Sequence, residues 1–571
     1  MSVNFQSSSI KSGTSAKASS LGTADVSGSR IIIPTTYGGL GIRFFEQLST
    51  DADKILQVDT INNITETRGS VKTRAVRLAI EMTERGVAKN DIILISSKTH
   101  AHQTIVLVAA LFLGAIVCPI SPESPSKECR ELVKKLKPKM AFCDGRTVSQ
   151  IDKVLTTLEI TCEIVCFGNE MLGVTQFCKL FPLKEEPDFQ PIFIDNPHKE
   201  VAFIVPTQGT CADPKLVCLS HHNIYFQCLH FMEICGDPTK VVSFFPLSWL
   251  TQTILACSSL EFGMTTIMAT SFNERSACKM IHDFRIDCAI LGTELALRLC
   301  GNVAVNDFNL DCLKCVLVGI VSTTKEDFAF MRQVLPKVKF LQIYSLTETG
   351  FITAVSSLNY VEALEKSNSV GKLLKNCKVK ILDAETKQPV GADNVGELYY
   401  YGDGLMLGYF KDTAATIAQI DKRYFRTGDL ACYDADGWLY LEGRIDDVFA
   451  LEGQPFIPTK LEHCIVAHPQ IHDAAVIGNQ TELVLCVQKK PESKVNYDNL
   501  MMYLFRKMPE FNNLISKIVF MDELPRTSVG NIKKRLLRDQ FLQVKLEYTT
   551  SLASITPTSC SADDAISKPV V

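Results

Sequence analysis

Several things are scarce in this 571-residue chain, and each shortage excludes a class of protein. Lys plus Arg (59) and Asp plus Glu (63) nearly cancel to a net charge of -4. There is no long basic tract with interleaved aromatics, so a nucleic-acid partner is not expected; KKLKPK at Lys134–Lys139 is too short to alter that. Long apolar runs are missing too. The longest, TIVLVAALFLGAIVC from Thr104 to Cys118, falls short of the roughly 20 residues a membrane span needs. It predicts a buried helix that turns at Gly114 into a strand, and no transmembrane segment.

Cysteine is not scarce, at 21 residues, but it lies scattered in apolar segments without the spacing of a disulfide framework and without a signal peptide. Buried thiols in a reducing, intracellular compartment are the expectation. CLKC at Cys312–Cys315 and the group Cys218, His221, His222 invite a zinc reading, but neither has a second ligand pair at a suitable spacing. A Walker loop is also absent.

What is present is a large globular composition, 46% hydrophobic and 21% charged, enough for a multidomain core. Residues 1–30, rich in Ser, Gly and Ala, and the Ser/Thr-rich 546–571 read as loose tails. The chain ends KPVV rather than an SKL-type peroxisomal address, so a cytoplasmic or a peroxisomal location both stay open. Between the tails, helical patterns alternate with short buried runs. AVRLAIEMTERGVAKNDIILISS gives a helix, a stop at Gly86 and a strand; LVKKLKPKMAFCD and KMIHDFRIDCAILG repeat the order. Repeated helix-to-strand units imply sheets covered by helices, with binding loops at the strand ends.

One such loop follows the strand VAFIV. Thr207, Gln208, Gly209, Thr210, Cys211, Ala212, Asp213 and Pro214 lead to Lys215, and hydroxyls, exposed N–H groups and an ammonium suit phosphate oxygens. By itself the loop reads equally well as an ordinary polar turn. At the other end of the chain, LPRTSVGNIKKRLLR (Leu524–Arg538) reads on its own as a turn at Gly530 followed by an amphipathic helix with Leu536 and Leu537 facing inward.

Taken in order, these stretches resemble the signatures of the adenylate-forming superfamily, which includes acyl-CoA synthetases, coumarate ligases, beetle luciferases and peptide-synthetase adenylation domains. Thr207, Gly209, Thr210, Pro214, Lys215, Ser220 and His221 match its phosphate-gripping pattern, while Gln208, Cys211, Ala212 and Leu216 depart from it. IYSLTETG (Ile343–Gly350), GELYYYGDGLMLGYFKD, YFRTGDLACYDADGWLYLEGRIDD and LEHCIVAHPQIHDAAVIG are similar to its later motifs. The likeness covers roughly residues 31–545.

The resemblance implies an α/β fold: a large N-terminal domain of helix-covered sheets (31–445) and a small mobile α+β C-terminal domain (446–545), swinging about a hinge at Asp446. It implies ATP-dependent activation of a hydrophobic carboxylic acid as an acyl-adenylate and transfer to coenzyme A. By the same resemblance, Glu348 holds Mg²⁺, Thr347 touches the α-phosphate and Tyr344 stacks on adenine. Thr207, Gly209, Thr210 and Lys215 grip phosphate. Asp429 accepts from both ribose hydroxyls, its two oxygens matching a vicinal diol, and Arg444 adds a donor from the other side.

Two departures weaken the implied chemistry. Asn531 stands where the family carries the lysine that bridges carboxylate and phosphate, and Ala450 replaces a lysine associated with thiol transfer. Lys533, two residues on, is a candidate substitute, since two extended residues span only about 7 Å. Bulkier Ile320 and Val321 near Gly319, and Trp249 in place of a frequent His, bear on the purine and acyl pockets. Two further readings therefore accompany the ligase: a catalytically feeble nucleotide- or acyl-binding relative, and a luciferase-like oxidation of an acyl-adenylate.

Overall fold

The computed structural model describes residues 26–29, 37–168, 171, 173–181, 188–207, 214–269, 271–319, 323–366, 368–511, 513–526 and 532–542. The expected helix-to-strand units are all found. Arg68–Glu84 is a helix capped by the Thr67 side chain, Gly86 turns with φ 79°, and the strand Ile92–Ser96 follows, buried throughout. Ser126–Leu136 leads to the strand Met140–Asp144, and Glu274–Phe284 to Cys288–Ile290. The Thr104–Cys118 run forms the helix Ala101–Phe112, buried almost all round as a helix apolar on every face must be, and Gly114 (φ 62°) turns it into the strand Ile116–Pro119. Among the described residues, no helix is long and apolar enough to cross a membrane.

Three sheets build the large N-terminal part. In an eight-stranded sheet the strands Ile116–Pro119, Ile92–Ser96, Met140–Asp144 and Glu163–Phe167 are parallel neighbours, and at one edge Val201–Pro206 and Leu216–Ser220 form a hairpin joined by the short strand Gly408–Tyr409. In a nine-stranded sheet five parallel strands lead to Lys339–Leu346, which turns back antiparallel into Gly350–Ala354. A six-stranded antiparallel sheet carries Cys377–Leu382, Gly396–Gly402, Tyr424–Tyr433 and Leu439–Arg444. Wholly buried parallel strands with helices on their faces explain why these segments read as continuous apolar runs.

The smaller C-terminal part has an apolar core of its own, running from Phe449 to Ile515, beneath a sheet of Ile471–Gly478, Leu483–Lys489 and Ile515–Met521. The helix Lys534–Phe541 closes it. One expectation is corrected here: Leu537 is fully buried but Leu536 is 49% exposed, because consecutive residues on a helix lie 100° apart and only one can face the core. Gly530 lies outside the described residues.

Candidate functional site

The three sheets of the large part meet around one small group of polar side chains. The strand Lys339–Leu346 delivers Tyr344, and the turn after it carries Thr347 and Glu348. The helix His221–Cys235 holds that turn from behind. The buried Gln227 donates from Nε2 to the Thr349 carbonyl (3.2 Å) and accepts the Phe351 N–H at Oε1 (2.8 Å). Gly350, at φ 65°, is needed for this approach, since a Cβ there would lie 2.1 Å from the Gln227 amide carbon.

Asp429 and Arg444 come from the antiparallel sheet, directly opposite each other on neighbouring strands. Arg444 Nη1 donates to Asp429 Oδ1 at 3.0 Å, and the Tyr344 hydroxyl donates to Oδ2 at 2.5 Å. Gly428, at φ 73°, leaves room for the guanidinium, which a Cβ would meet at 3.1 Å. Asp429 is 7% exposed. Burial pushes its carboxyl above the ordinary aspartate range, with Arg444 and the Tyr344 hydroxyl opposing the rise. Burial likewise drives the Tyr344 hydroxyl well up, with the Asp429 charge adding to it, so that hydroxyl stays a donor. An ionised carboxylate accepts about four hydrogen bonds. Two of Asp429's lone pairs are used by these partners and about two remain, one on each oxygen.

Glu348 sits beside this clamp. Tyr409, on the edge strand of the eight-stranded sheet, donates its hydroxyl to Glu348 Oε1 at 2.8 Å. The Lys215 ammonium lies over the Tyr409 ring, 4.6 Å from its centroid. The segment that carries Tyr409 stitches the sheets together: Met406 N–H donates to the Glu348 carbonyl (2.8 Å), and Leu407 and Phe410 N–H groups donate to Cys218 and Leu216 carbonyls. Burial raises the Glu348 carboxyl above the usual range, with Tyr409, then Lys215 and Arg444, pulling it back. No described side chain donates to Glu348 Oε2. A carboxylate oxygen beside an ammonium and a tyrosine hydroxyl has the hard-donor chemistry a Mg²⁺ ion takes when phosphates complete its shell.

The mouth of the phosphate-loop candidate is closed by two bonds. Thr207 N–H donates to the Lys215 carbonyl (2.8 Å), and Lys215 N–H donates to Thr207 Oγ1 (2.9 Å). Gly209 and Thr210 lie outside the described residues, as do Ile320, Val321 and Asn531. Trp249 stacks on Phe245 with centroids 4.7 Å apart.

Tyr344, Glu348, Lys215, Asp429 and Arg444 are thus brought together, with Thr207 at the base of the adjoining loop and Thr347 half-buried in the same turn as Glu348. Lys533 belongs to the C-terminal part, where its N–H donates to the Pro525 carbonyl (2.7 Å); among the described residues no hydrogen bond or ion pair joins it to Glu348 or Thr347. Its neighbour Lys534 is the engaged cation, at 3.0 Å from Asp447 and 2.8 Å from Glu462. Burial opposes its charge, but those two carboxylates outweigh burial and hold it above the ordinary lysine range. Arg538 donates to the Asp446 carbonyl and to Asp447, both at 3.1 Å, so the closing helix grips the Asp446 segment. Ala450 lies in a two-stranded ribbon opposite Pro455.

Sequence reasoning overlooked Tyr409 and Gln227. Tyr409 was inside a quoted motif, GLMLGYF, whereas Gln227 carries no local signal, because its role depends on a turn 122 residues away. The histidines once weighed as zinc ligands do other work. His221 Nδ1 accepts the Leu40 N–H (3.2 Å) and is held neutral by burial, with its pKa lowered to about 4. His222 stacks on His198 at 3.7 Å and faces Asp403.

Residues 44–410 match the AMP-binding enzyme family and residues 460–531 the AMP-binding enzyme C-terminal domain. The chain is 27% identical over 493 residues to a luciferin 4-monooxygenase of Photuris pensylvanica, covering 81% of this chain and 88% of that one. It is 24% identical over 510 residues to 4-coumarate–CoA ligase 2 of Petroselinum crispum, covering 86% and 92%. Among solved structures, the luciferase-like enzyme of the nonluminescent mealworm Zophobas morio superposes with a TM-score of 0.71 at 24% identity, over 74% of this chain and 99% of that one. The amide bond synthetase McbA of Marinactinospora thermotolerans superposes with a TM-score of 0.78 at 19% identity, over 88% and 99%.

Proposed function

This chain belongs to the family of AMP-binding enzymes, and from that premise we propose that it is an ATP-dependent acid–thiol ligase. It activates a hydrophobic carboxylic acid as the acyl-adenylate and passes the acyl group to coenzyme A. The observation that carries the proposal is the single cluster in which Asp429, Tyr344 and Arg444 adjoin Glu348, Tyr409 and Lys215.

In this reading the free lone pairs of Asp429 accept the two ribose hydroxyls, and Arg444 keeps that carboxylate ionised against its burial. Tyr344 orients Asp429 and forms a wall of the adenine pocket. Glu348 would hold Mg²⁺, whose charge would offset that of the phosphates. Thr207, Gly209, Thr210 and Lys215 bind the departing phosphates, and Thr347 donates to the α-phosphate, so that donors already point where charge develops. Two anions must meet in this step, and Asn531 offers hydrogen bonds there but no positive charge. Lys533 is the nearest replacement along the chain. The C-terminal part, from Asp446 to about residue 545, turns about Asp446 between the half-reactions.

A second reading, a protein that binds the nucleotide but turns it over feebly, is favoured by the neutral residues at Asn531 and Ala450. Pyrophosphate release across a panel of carboxylic acids, with and without coenzyme A, separates the two. Acid-dependent release with acyl-CoA formation supports the ligase, and ATP binding without any release supports the second reading.

A further inference from the structure

Between Lys215 and Tyr344 in the sequence, three cysteines converge in the core. Cys235 ends the helix His221–Cys235, and Cys288 and Cys315 open adjacent parallel strands, where they are partners in register. Their sulfurs all lie within 4.8 Å of one another, and among the described residues no other group of three or more His, Cys, Asp or Glu side chains comes together in this way. Cys288 Sγ lies 3.9 Å from Cys235 Sγ, and Cys315 Sγ donates to the Cys235 carbonyl at 3.8 Å. The three are 5%, 0% and 2% exposed and belong to one buried apolar cluster that also holds Leu317, Leu341 and Ile254. This set differs from the CLKC pair weighed as a zinc site: Cys315 belongs to it, whereas Cys312 donates instead to the Ile281 carbonyl.

We propose that Cys235, Cys288 and Cys315 form a three-sulfur site for a soft monovalent d¹⁰ metal ion, of which Cu(I) is the type. An ion at the centre of a sulfur triangle with metal–sulfur bonds of about 2.3 Å separates its ligands by about 4 Å, close to the spacing already present. Thiolate ligands select soft ions. A tetrahedral ion such as Zn²⁺ needs a fourth ligand. The carboxylate next in sequence, Asp287, is already engaged by the Thr239 N–H and hydroxyl, the Lys240 N–H and the Lys314 ammonium. Coordination through three thiolates releases three thiol protons to solvent and leaves the site with two net negative charges, with one cation close by through Ser357: Lys339 Nζ donates to the Ser357 carbonyl (3.3 Å) and the Ser357 hydroxyl donates to the Cys235 carbonyl (3.1 Å). The ion ties the helix His221–Cys235, and with it the Gln227 support of the Glu348 turn, to the sheet beneath.

The test loads reduced, full-length protein anaerobically with Cu(I) in competition with a chromophoric Cu(I) chelator. One Cu(I) per chain is expected, with X-ray absorption showing three sulfurs at about 2.3 Å. Removing a residue that merely orients a metal ligand costs about 10–100-fold in affinity, so Cys288→Ser should cost at least that, while Cys312→Ser should leave retention unchanged. Equal retention by wild type and Cys288→Ser overturns the proposal, as does Zn²⁺ held as tightly as Cu(I). Because a core substitution can impair folding, anomalous diffraction from wild-type crystals grown with Cu(I) gives a separate reading. Copper density between the Cys288 and Cys315 strands supports the site; copper elsewhere, or none, refutes it.

Discussion

Two halves of the candidate site are built on opposite principles. The Asp429 half is a preorganised polar unit: each carboxylate oxygen has one partner, a tyrosine hydroxyl on one and a guanidinium on the other. In the proposed reading the half that accelerates chemistry has less formal charge, with Asn531 where a lysine would serve adenylation and Ala450 where one would serve thiol transfer. Glu348 rests on Tyr409, and the nearest engaged lysine of the closing segment, Lys534, is turned to Asp447 and Glu462. A chain can keep what holds a nucleotide while relaxing what accelerates its reaction, because holding uses ground-state hydrogen bonds and acceleration needs charge placed for the transition state.

The sharpest way to break that contrast is to restore the missing charge. A unit charge pair near 4 Å at an effective dielectric of 20 is worth about 4 kcal/mol, so Asn531→Lys is expected to raise acid-dependent pyrophosphate exchange by up to roughly a thousandfold. No increase would remove Asn531 as the reason for weak turnover. Next in size, Glu348→Gln should lower adenylation by about 10²–10³, the cost typical of losing one preorganised charge-stabilising group. AMP affinity, measured by calorimetry, should move less than about threefold, since Tyr409 can still bond the amide. A parallel loss of AMP binding would erase the distinction between the two halves.

A smaller effect comes from pH. The folded-state pKa of Asp429 is raised, so its contribution to fold stability is complete below the unfolded aspartate value and is lost as pH rises through the folded one. Nucleotide binding runs the other way: it needs the ionised carboxylate and should fade by about tenfold per pH unit below the raised value. Titration of AMP affinity should therefore show an acid limb above the ordinary aspartate range. A limb that persists in Asp429→Asn would assign it to another group. Smallest, Arg538→Ala frees the Asp446 carbonyl and half of Asp447's pairing, and should change thioester formation by only about threefold while leaving adenylation intact.

Much of the fold was legible in the chain because its units are local. Gly86 and Gly114 stop helices at positions where only a left-handed turn fits, and the strands after them are apolar runs that can sit only between helices. That Tyr344, Glu348, Lys215, Asp429 and Arg444 belong to one site was an expectation drawn from the resemblance of their motifs, and the fold brings them together. Tyr409 gains its role from a strand pairing with Val217, Gln227 from a turn across the sheet, and the three-cysteine cluster from residues 53 and 80 positions along the chain from Cys235. Leu536 was misplaced by one step on a helix, where a single residue decides between core and solvent.

The account rests most directly on one binding measurement, made by calorimetry on the full chain with AMP and with Mg-ATP at neutral pH. Two charge-assisted hydrogen bonds from the ribose contribute about 3 kcal/mol or more. Saturable binding is therefore expected below millimolar ligand, weakened by at least roughly a hundredfold in Asp429→Asn. Heat that never saturates, or equal affinity in wild type and Asp429→Asn, would contradict the assignment of this cluster to a nucleotide.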